Sequence, residues 1–203
     1  MHLNFRGYQS KKISFEAILR SFDPSINYIN ICESHFQHKR TLNIPGYQSY
    51  TRNRTDKSHG GIASSIIESE ANECLKVAEG KESNEFLITR HNQFLTPINI
   101  INFYGEQEGR TPADVIEEHW KEIVDEVVKI EARGEHLIMD GDFNRHLPDL
   151  KEFNNNKVSA GGKLVQELID NNGYVLVNNS SVIQDTPYTR IDPADPENDT
   201  KSL

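Results

Sequence analysis

Cysteine is scarce in this sequence of 203 residues, and long apolar runs are missing from it. The two cysteines, Cys32 and Cys74, are too few for a disulfide framework and lack the spacing of a zinc site, so we expect two buried free thiols. No apolar run approaches the length that spans a bilayer, and the first residues do not form a secretory signal. These absences predict a soluble intracellular protein with no membrane partner.

Linker sequence is missing as well. No stretch rich in proline, glycine and serine divides the chain. A chain of this length can bury most of its apolar surface in one core. We therefore predict a single domain over residues 1–203.

Apolar runs and amphipathic segments alternate along the chain, which predicts a mixed α and β domain. The spacing predicts helices over 14–21, from Thr111 as N-cap to about Arg133 with Trp120 in the core, and over 162–171. Short extended runs are typical of strands, and those between 47 and 90 are expected to be consecutive antiparallel strands. The predicted strands cover 3–7, 26–31, 47–51, 61–67, 75–77, 85–90, 98–105, 136–144 and 175–177.

The most informative segment is 136–144, an apolar run that leads into Gly141-Asp142-Phe143-Asn144. Side chains two apart on an extended backbone face the same way, so Asp142 and Asn144 are expected to point to one side. A carboxylate beside a carboxamide suits phosphate chemistry on a hard metal ion. Gly-Asp after a strand is also ordinary turn chemistry, and the rest of the chain has to decide between the two.

Three more polar residues stand at the ends of apolar runs, namely Asn4, Glu33 and Tyr104. Polar groups collected at several strand ends are a common way to build a site on a rigid sheet. Each also has a structural alternative: a turn cap for Asn4, a surface charge for Glu33 and a half-buried core residue for Tyr104. The histidines show no ligand spacing, and we leave them out of the predicted site.

Four short motifs share this position at a strand end: Asn4-x-x-Gly7, the run that ends in Glu33, Asn102-x-Tyr104 and Gly141-Asp142-Phe143-Asn144. Together and in this order they resemble the endonuclease/exonuclease/phosphatase superfamily, the metal-dependent phosphoesterases that include DNase I-like and abasic-site nucleases. Segments 104–110 and 188–196 are similar to the endonuclease domains of non-LTR retrotransposons. The resemblance implies an α/β sandwich of four layers, with two mostly antiparallel sheets flanked by helices.

One departure from the superfamily pattern concerns the end of the sequence. Superfamily members continue through a Ser-x-x-Asp segment, which Ser202-Leu203 begins, to a further aspartate and an Asp-His pair that contacts the scissile phosphate. Because the sequence stops before them, we expect a domain that is truncated at its C-terminus and lacks its last strands. A non-catalytic remnant that binds metal weakly is therefore an alternative to a working enzyme.

The resemblance implies hydrolysis of phosphodiesters with Mg²⁺, or with Mn²⁺ in its place. It makes Glu33 the metal ligand, and it makes Asp142 the residue that deprotonates the attacking water or shares in metal binding. Asn144 would bind the phosphate or fix Asp142, Tyr104 would donate to the phosphate, and Asn4 would hold Glu33 or the water shell of the metal.

The net charge of −9 argues against a uniformly basic nucleic-acid binder. Acidic residues are concentrated in the predicted helix that follows Thr111 and are expected to form its solvent face, together with Glu135. Basic residues are concentrated in two stretches that flank the strand after Glu33, and they are expected either to form a rim for a DNA backbone or to be ordinary solvated loop charges. The basic residues are Lys39, Arg40, Arg52, Arg54 and Lys57.

These observations favour a DNA-nicking endonuclease domain of a retrotransposon-like element. Such a domain would act in the nucleus, and its natural chain would continue into a reverse transcriptase. A phosphoesterase of the same fold that acts on a phosphoinositide, another lipid or RNA is the first alternative. The non-catalytic remnant is the second.

Overall fold

The computed structural model describes residues 1–22, 26–36, 40–54, 60–81, 83–106, 110–144 and 160–175. The chain divides into two compact units, Met1–Asn144 and Arg145–Leu203. None of the helices in the described ranges combines the length and apolar character needed to cross a membrane. That residues 1–203 form a single domain stays a prediction.

The first unit contains two helices and eight strands among its described residues. In chain order they are β1 (His2–Asn4), α1 (Tyr8–Ser21), β2 (Tyr28–Cys32), β3 (Tyr47–Arg52), β4 (Ile62–Ile67), β5 (Cys74–Glu79), β6 (Glu85–His91), β7 (Ile98–Tyr104), α2 (Ala113–Ala132) and β8 (His136–Asp142). A short 3₁₀ helix, Ala71–Glu73, precedes β5. The second unit contributes α3 (Ala160–Asn172), which agrees with the predicted helix.

The eight strands form two sheets of four. Sheet 1 has the order β1-β2-β4-β3, and sheet 2 has the order β5-β6-β7-β8. Within each sheet one pair of strands is parallel, β1 with β2 and β7 with β8, and the other pairs are antiparallel. The predicted fold class, two mostly antiparallel sheets with helices, is confirmed.

Helices cover the outer faces of the two sheets. On sheet 1, Phe15 of α1 lies in one apolar cluster with Ile29 and Ile31 of β2. On sheet 2, the ring of Trp120 on α2 contacts the ring of Phe103 on β7, with 5.9 Å between the ring centroids. Burying one large apolar side chain contributes about 1.5–3 kcal/mol, so these contacts fix each helix on its sheet. The first unit therefore has four layers: helix, sheet, sheet, helix.

The space between the two sheets is partly polar. Asn102 on β7 is fully buried and donates its side-chain amide to the backbone oxygens of Ile31 and Ala63, at 3.3 and 2.8 Å. Asn30 on β2, also fully buried, donates to Asp140 of β8 at 3.0 Å. Buried amides need partners at defined positions, so these bonds fix how one sheet is placed on the other.

The predicted run of consecutive antiparallel strands is wrong at one point. β4 and β5 belong to different sheets, because the segment between them carries the chain across the sandwich. That segment contains a turn at 68–70 and the 3₁₀ helix. Antiparallel pairing then resumes from β5 to β7.

Helix α1 begins earlier than predicted. It starts at Tyr8 rather than Ser14, and the buried ring of Tyr8 stands two turns before that of Phe15, so the inward stripe begins there. Ile18, one of the apolar residues of the helix, is 53% exposed.

Thr111 does not cap α2. Pro112 directly precedes the helix, and the hydroxyl of Thr111 donates to Glu106 at 3.1 Å instead. Trp120 is buried at 8% exposure, as predicted.

Glu135 does not belong to the solvent face of α2. It follows the helix and accepts hydrogen bonds from Arg90, Asn99 and Arg133, at 2.6–3.0 Å. Its side chain is 6% exposed. The bond from Arg90, followed by those from Asn99 and Arg133, lowers the pKa of Glu135 to about 2 although burial opposes the change. Glu135 is therefore held by ion pairs with Arg90 and Arg133.

Several predictions fall on residues that the structure does not describe. Of the predicted strand 175–177, only Val175 is described, and it lies outside any strand. The segment 188–196, most of 107–110, Lys39 and Lys57 lie outside the described residues.

Candidate active site

The polar residues predicted at four strand ends meet at one place. Asn4 is the last residue of β1 and is in register with Cys32, so Glu33 follows at the neighbouring strand end. Tyr104 and Asp142 are register partners at the ends of β7 and β8. Both strand pairs are parallel, and parallel strands bring their carboxyl ends to the same edge of a sheet. Each sheet therefore delivers two of the four side chains.

Asn4 joins the two carboxylates. Its side-chain nitrogen donates to Glu33 Oε1 and to Asp142 Oδ2, both at 2.9 Å. The backbone N–H of Arg6 donates to the other amide atom, Asn4 Oδ1, at 3.2 Å. Of the two terminal atoms of the Asn4 amide only the oxygen can accept a hydrogen bond, so this bond fixes the orientation of the amide. Since one nitrogen donates both bonds, Glu33 Oε1 and Asp142 Oδ2 lie no farther apart than twice 2.9 Å.

Tyr104 completes the group. Its hydroxyl donates to Glu33 Oε1 at 3.0 Å, so that oxygen accepts from both Asn4 and Tyr104. Burial raises the pKa of Tyr104, and the charge of Glu33 raises it further. At neutral pH the phenol is therefore protonated and acts as a donor.

Glu33 is ionised in this environment. Burial by itself would raise its pKa, but the hydrogen bonds from Asn4 and Tyr104 and the nearby charges of His35 and Arg6 outweigh it, so the pKa is lowered. The result is a carboxylate that keeps its charge although its side chain is only 17% exposed.

The backbone is strained at this site. Among the described residues, positive φ angles occur at four residues other than glycine, and all four belong to the segments that carry the site or directly follow it. Such conformations cost about 1 kcal/mol or more each and persist where the surrounding structure enforces them. The four residues are Arg6 (45°), Glu33 (51°), His35 (55°) and Asn144 (49°).

His35 is a site residue that the sequence analysis left out. Its Nε2 lies 3.5 Å from Glu33 Oε2, and its ring lies against Gly7, where an added Cβ would stand 3.2 Å from Nδ1. The one signal in the sequence was its position two residues after Glu33. It was not enough to include His35, because the histidines of the sequence show no ligand spacing.

Asn144 does not point where the strand pattern predicted. β8 ends at Asp142, and the positive φ of Asn144 takes it out of the extended conformation on which the same-side argument rests. Its side-chain amide donates to the backbone oxygen of Gly105 at 2.9 Å. Its backbone N–H donates to Asp142 Oδ1 at 3.2 Å. Asn144 therefore holds Asp142 through the main chain.

Only part of the predicted basic rim is exposed. Arg54 is buried at 8% exposure and forms ion pairs with Glu85 and Glu106. Arg52 donates to the backbone oxygens of Gly80 and Asn53, at 2.9 and 2.8 Å. Of the basic residues predicted for the rim and described here, Arg40 is exposed.

Comparison with known proteins rests on structure. No protein-family model matches the sequence, and no curated protein matches it. The 3′-5′ exonuclease NExo of Neisseria meningitidis matches with a TM-score of 0.63 and 13% identity, over 83% of this chain and 69% of that chain. The endonuclease domain of TRAS1, a telomere-specific non-LTR retrotransposon, matches with a TM-score of 0.56 and 13% identity, over 84% of this chain and 70% of that chain.

The fold is therefore shared with structures of the endonuclease/exonuclease/phosphatase superfamily. A further match is the 3′ phosphatase NExo from Neisseria bound to a product DNA hairpin, with a TM-score of 0.61 and 14% identity over 83% of this chain and 69% of that chain. The neighbours with this superfamily fold thus include nucleases and a phosphatase. The predicted resemblance is confirmed for the fold.

The donor set of the site fits a hard divalent cation. Glu33 and Asp142 supply carboxylate oxygens held close together by Asn4. Within the described ranges no group of three or more His, Cys, Asp and Glu side chains has the arrangement of a metal site. Structural zinc takes four protein ligands and catalytic zinc three, whereas Mg²⁺ is usually held by one or two carboxylates and keeps several waters. Two carboxylates therefore suit Mg²⁺ or Mn²⁺.

Proposed function

We propose that this chain is the hydrolytic domain of a Mg²⁺-dependent endonuclease that nicks DNA. The observation that carries the proposal is the meeting of Glu33 and Asp142 on one amide, Asn4, with the phenol of Tyr104 beside them. The fold, shared with nucleases and a phosphatase, supports the same class of chemistry.

Phosphodiester hydrolysis places negative charge on the phosphate oxygens and needs a deprotonated water as nucleophile. A divalent cation held by Glu33 and Asp142 would supply charge neutralisation at the phosphate. Tyr104 is kept protonated, and its single O–H, which donates to Glu33 here, would turn to a phosphate oxygen when the substrate binds. Asp142 accepts the proton of the attacking water or shares in holding the cation, and the backbone N–H of Asn144 orients its Oδ1. Asn4 holds both carboxylates in place.

DNA is the substrate that we propose, bound through its phosphate backbone. Two neighbours support it: one in complex with a DNA hairpin and one named as the endonuclease domain of a retrotransposon. Arg6 places positive charge beside Glu33 in a chain whose net charge is −9, and His35 adds to it when it is protonated. A role in a retroelement would place the activity in the nucleus, in a protein that also carries a reverse transcriptase.

The test is nicking of supercoiled plasmid with Mg²⁺, with EDTA as the metal-free arm. We expect relaxed circles that form with Mg²⁺ or Mn²⁺, are absent with EDTA, and fall by about 100-fold in rate for Asp142→Asn. The matched control is Asp125→Asn, since Asp125 is an exposed aspartate of α2 and should not affect the rate.

The same assay separates the alternatives. Intact plasmid together with turnover of RNA, a phosphoinositide or a small phosphate ester would replace DNA by another substrate of the same fold. Absence of all turnover would favour the non-catalytic remnant. Nicking that persists in Asp142→Asn or in EDTA would contradict the proposed site.

A further inference from the structure

A buried ion cluster lies between the two sheets, close to the site but outside it. We call Arg54, Glu85 and Glu106 the Arg54 cluster. Arg54 Nε pairs with Glu85 Oε1, and its Nη2 donates to Glu106 Oε1 at 2.6 Å. Exposure is 8% for Arg54 and 2% for Glu85. Burial raises the pKa of Glu85 to about 7 although Arg54 lowers it. Buried ion pairs often stabilise a fold no better than apolar residues would, which suggests a role other than stability.

The second oxygen of Glu85 holds a pair of glycines. Glu85 Oε2 accepts the backbone N–H of Gly61 at 2.5 Å. Gly60 is packed so closely that an added Cβ would stand 2.5 Å from Glu85 Oε1. Both glycines have positive φ, 99° and 82°. Glu85 therefore fixes a backbone turn that only glycine forms without strain.

This glycine pair in turn holds the segment that carries Glu33. The carbonyls of Gly61 and Gly60 accept the backbone N–H groups of Ser34 and His35, both at 2.9 Å. From the other side, the N–H of Gly7 donates to the carbonyl of Glu33 at 2.8 Å. One peptide segment, Gly60–Gly61, thus separates the carboxylate of Glu85 from the strained backbone beside Glu33.

The Arg54 cluster is also connected to the strand that carries Tyr104. Glu85 is the register partner of Tyr104 between β6 and β7. Glu106, two residues after Tyr104, accepts from Arg54 and from the hydroxyl of Thr111. The cluster therefore connects the strand end of Tyr104 in sheet 2 to the Glu33 segment of sheet 1.

We propose that Glu85 is a positioning residue, which places the Glu33 carboxylate for metal binding through its hydrogen bond from the Gly61 N–H. This inference rests on the proposed function, because it takes Glu33 to be a metal ligand. The hydrogen bonds between the backbone segments do not depend on that function. In this proposal Glu85 does not itself bind the substrate or the cation. Its effect passes through the backbone of Ser34 and His35.

The experiment compares Glu85→Ala and Glu85→Gln with Glu135→Ala in the full chain. Glu135 is the matched control, since its carboxylate is also paired with arginines and its side chain is only 6% exposed, but it directly precedes β8, whereas Asp142 lies at the end of that strand. The readouts are Mn²⁺ affinity, measured by electron paramagnetic resonance, and amide hydrogen exchange at Ser34 and His35.

We expect Glu85→Ala to weaken Mn²⁺ binding by about tenfold, as is typical when a group that supports a ligand is removed. Glu85→Gln keeps an oxygen for the Gly61 N–H and should stay within about threefold of wild type. Glu135→Ala should leave the affinity unchanged. A folded Glu85→Ala variant with wild-type affinity, or an equal loss in Glu135→Ala, would overturn the inference.

Hydrogen exchange keeps the two proposals distinguishable. If the wild-type chain binds no Mn²⁺, the proposed metal site fails. Glu85 can still be tested, because the amides of Ser34 and His35 should then exchange at least about tenfold faster in Glu85→Ala and not in Glu135→Ala. Unchanged exchange at both amides would overturn the positioning role. If Glu85→Ala does not fold, Glu85→Asp replaces it, since the shorter acid keeps the charge but withdraws from Gly61.

Discussion

Replacing Glu33 by glutamine is expected to lower the rate of Mg²⁺-dependent nicking by about 100-fold or more while the fold is retained. Glutamine has nearly the same shape, and its oxygen can still accept from Asn4 and Tyr104, as Glu33 Oε1 does. The negative charge that would attract the proposed cation is lost. The structure therefore predicts a loss of activity without a comparable loss of stability.

The control for this variant is Glu16→Gln. The side chains of Glu16 and Glu33 are almost equally exposed, at 16% and 17%, but Glu16 pairs with Lys12 and Arg20 on α1. Nicking rates and urea unfolding curves are measured for both variants. If Glu33→Gln nicks as fast as Glu16→Gln, then Glu33 is not part of the active site.

Replacing Gly141 by alanine is expected to lower the free energy of unfolding by about 3 kcal/mol or more. Gly141 has φ of 152°, and an added Cβ would stand 1.9 Å from the backbone oxygen of Phe103 on the neighbouring strand. A backbone oxygen in a strand cannot move aside as a side chain can. The parallel pairing of β7 and β8 would have to open at the point where Tyr104 and Asp142 are in register.

Gly134→Ala is the matched control for this prediction. Gly134 also has positive φ, 67°, but nothing lies within 4 Å of an added Cβ. It should cost about 1 kcal/mol, from backbone strain alone. Urea unfolding of the two variants measures the difference. Equal destabilisation would show that the close approach of β7 and β8 at Gly141 does not exist in solution.

The positions of Asn4, Glu33, Tyr104 and Asp142 could be predicted because each stands at the end of an apolar run. Strand ends are visible in a sequence, since a strand of a buried sheet is a short apolar segment closed by glycine or a polar residue. Which strands pair is not visible in that way. The parallel pairs that bring the four residues together form between segments far apart in sequence.

The side-chain directions of Asn144 and His35 could not be predicted from the local sequence. Alternation of side chains holds only while the backbone is extended, and both residues have positive φ. Their directions depend on hydrogen bonds to distant segments, such as that from Asn144 to the carbonyl of Gly105. The local sequence around either position does not contain that information.

Arg54 and the polar interior show a second limit. A basic residue between polar neighbours is typical of a solvated loop, and the partners that bury Arg54 lie 31 and 52 positions away in the sequence. Asn30 and Asn102 likewise lie in strands predicted from their apolar content, yet they face the other sheet. Buried polar networks depend on long-range geometry, which composition and periodicity do not record.

Titration of Mn²⁺ into the wild-type chain, Glu33→Gln, Asp142→Asn and the double variant tests the central claim, that the two sheets share one cation. We predict one site in the wild type, an affinity that falls by about tenfold or more in each single variant, and no binding in the double variant. Wild-type affinity in either single variant would contradict the account.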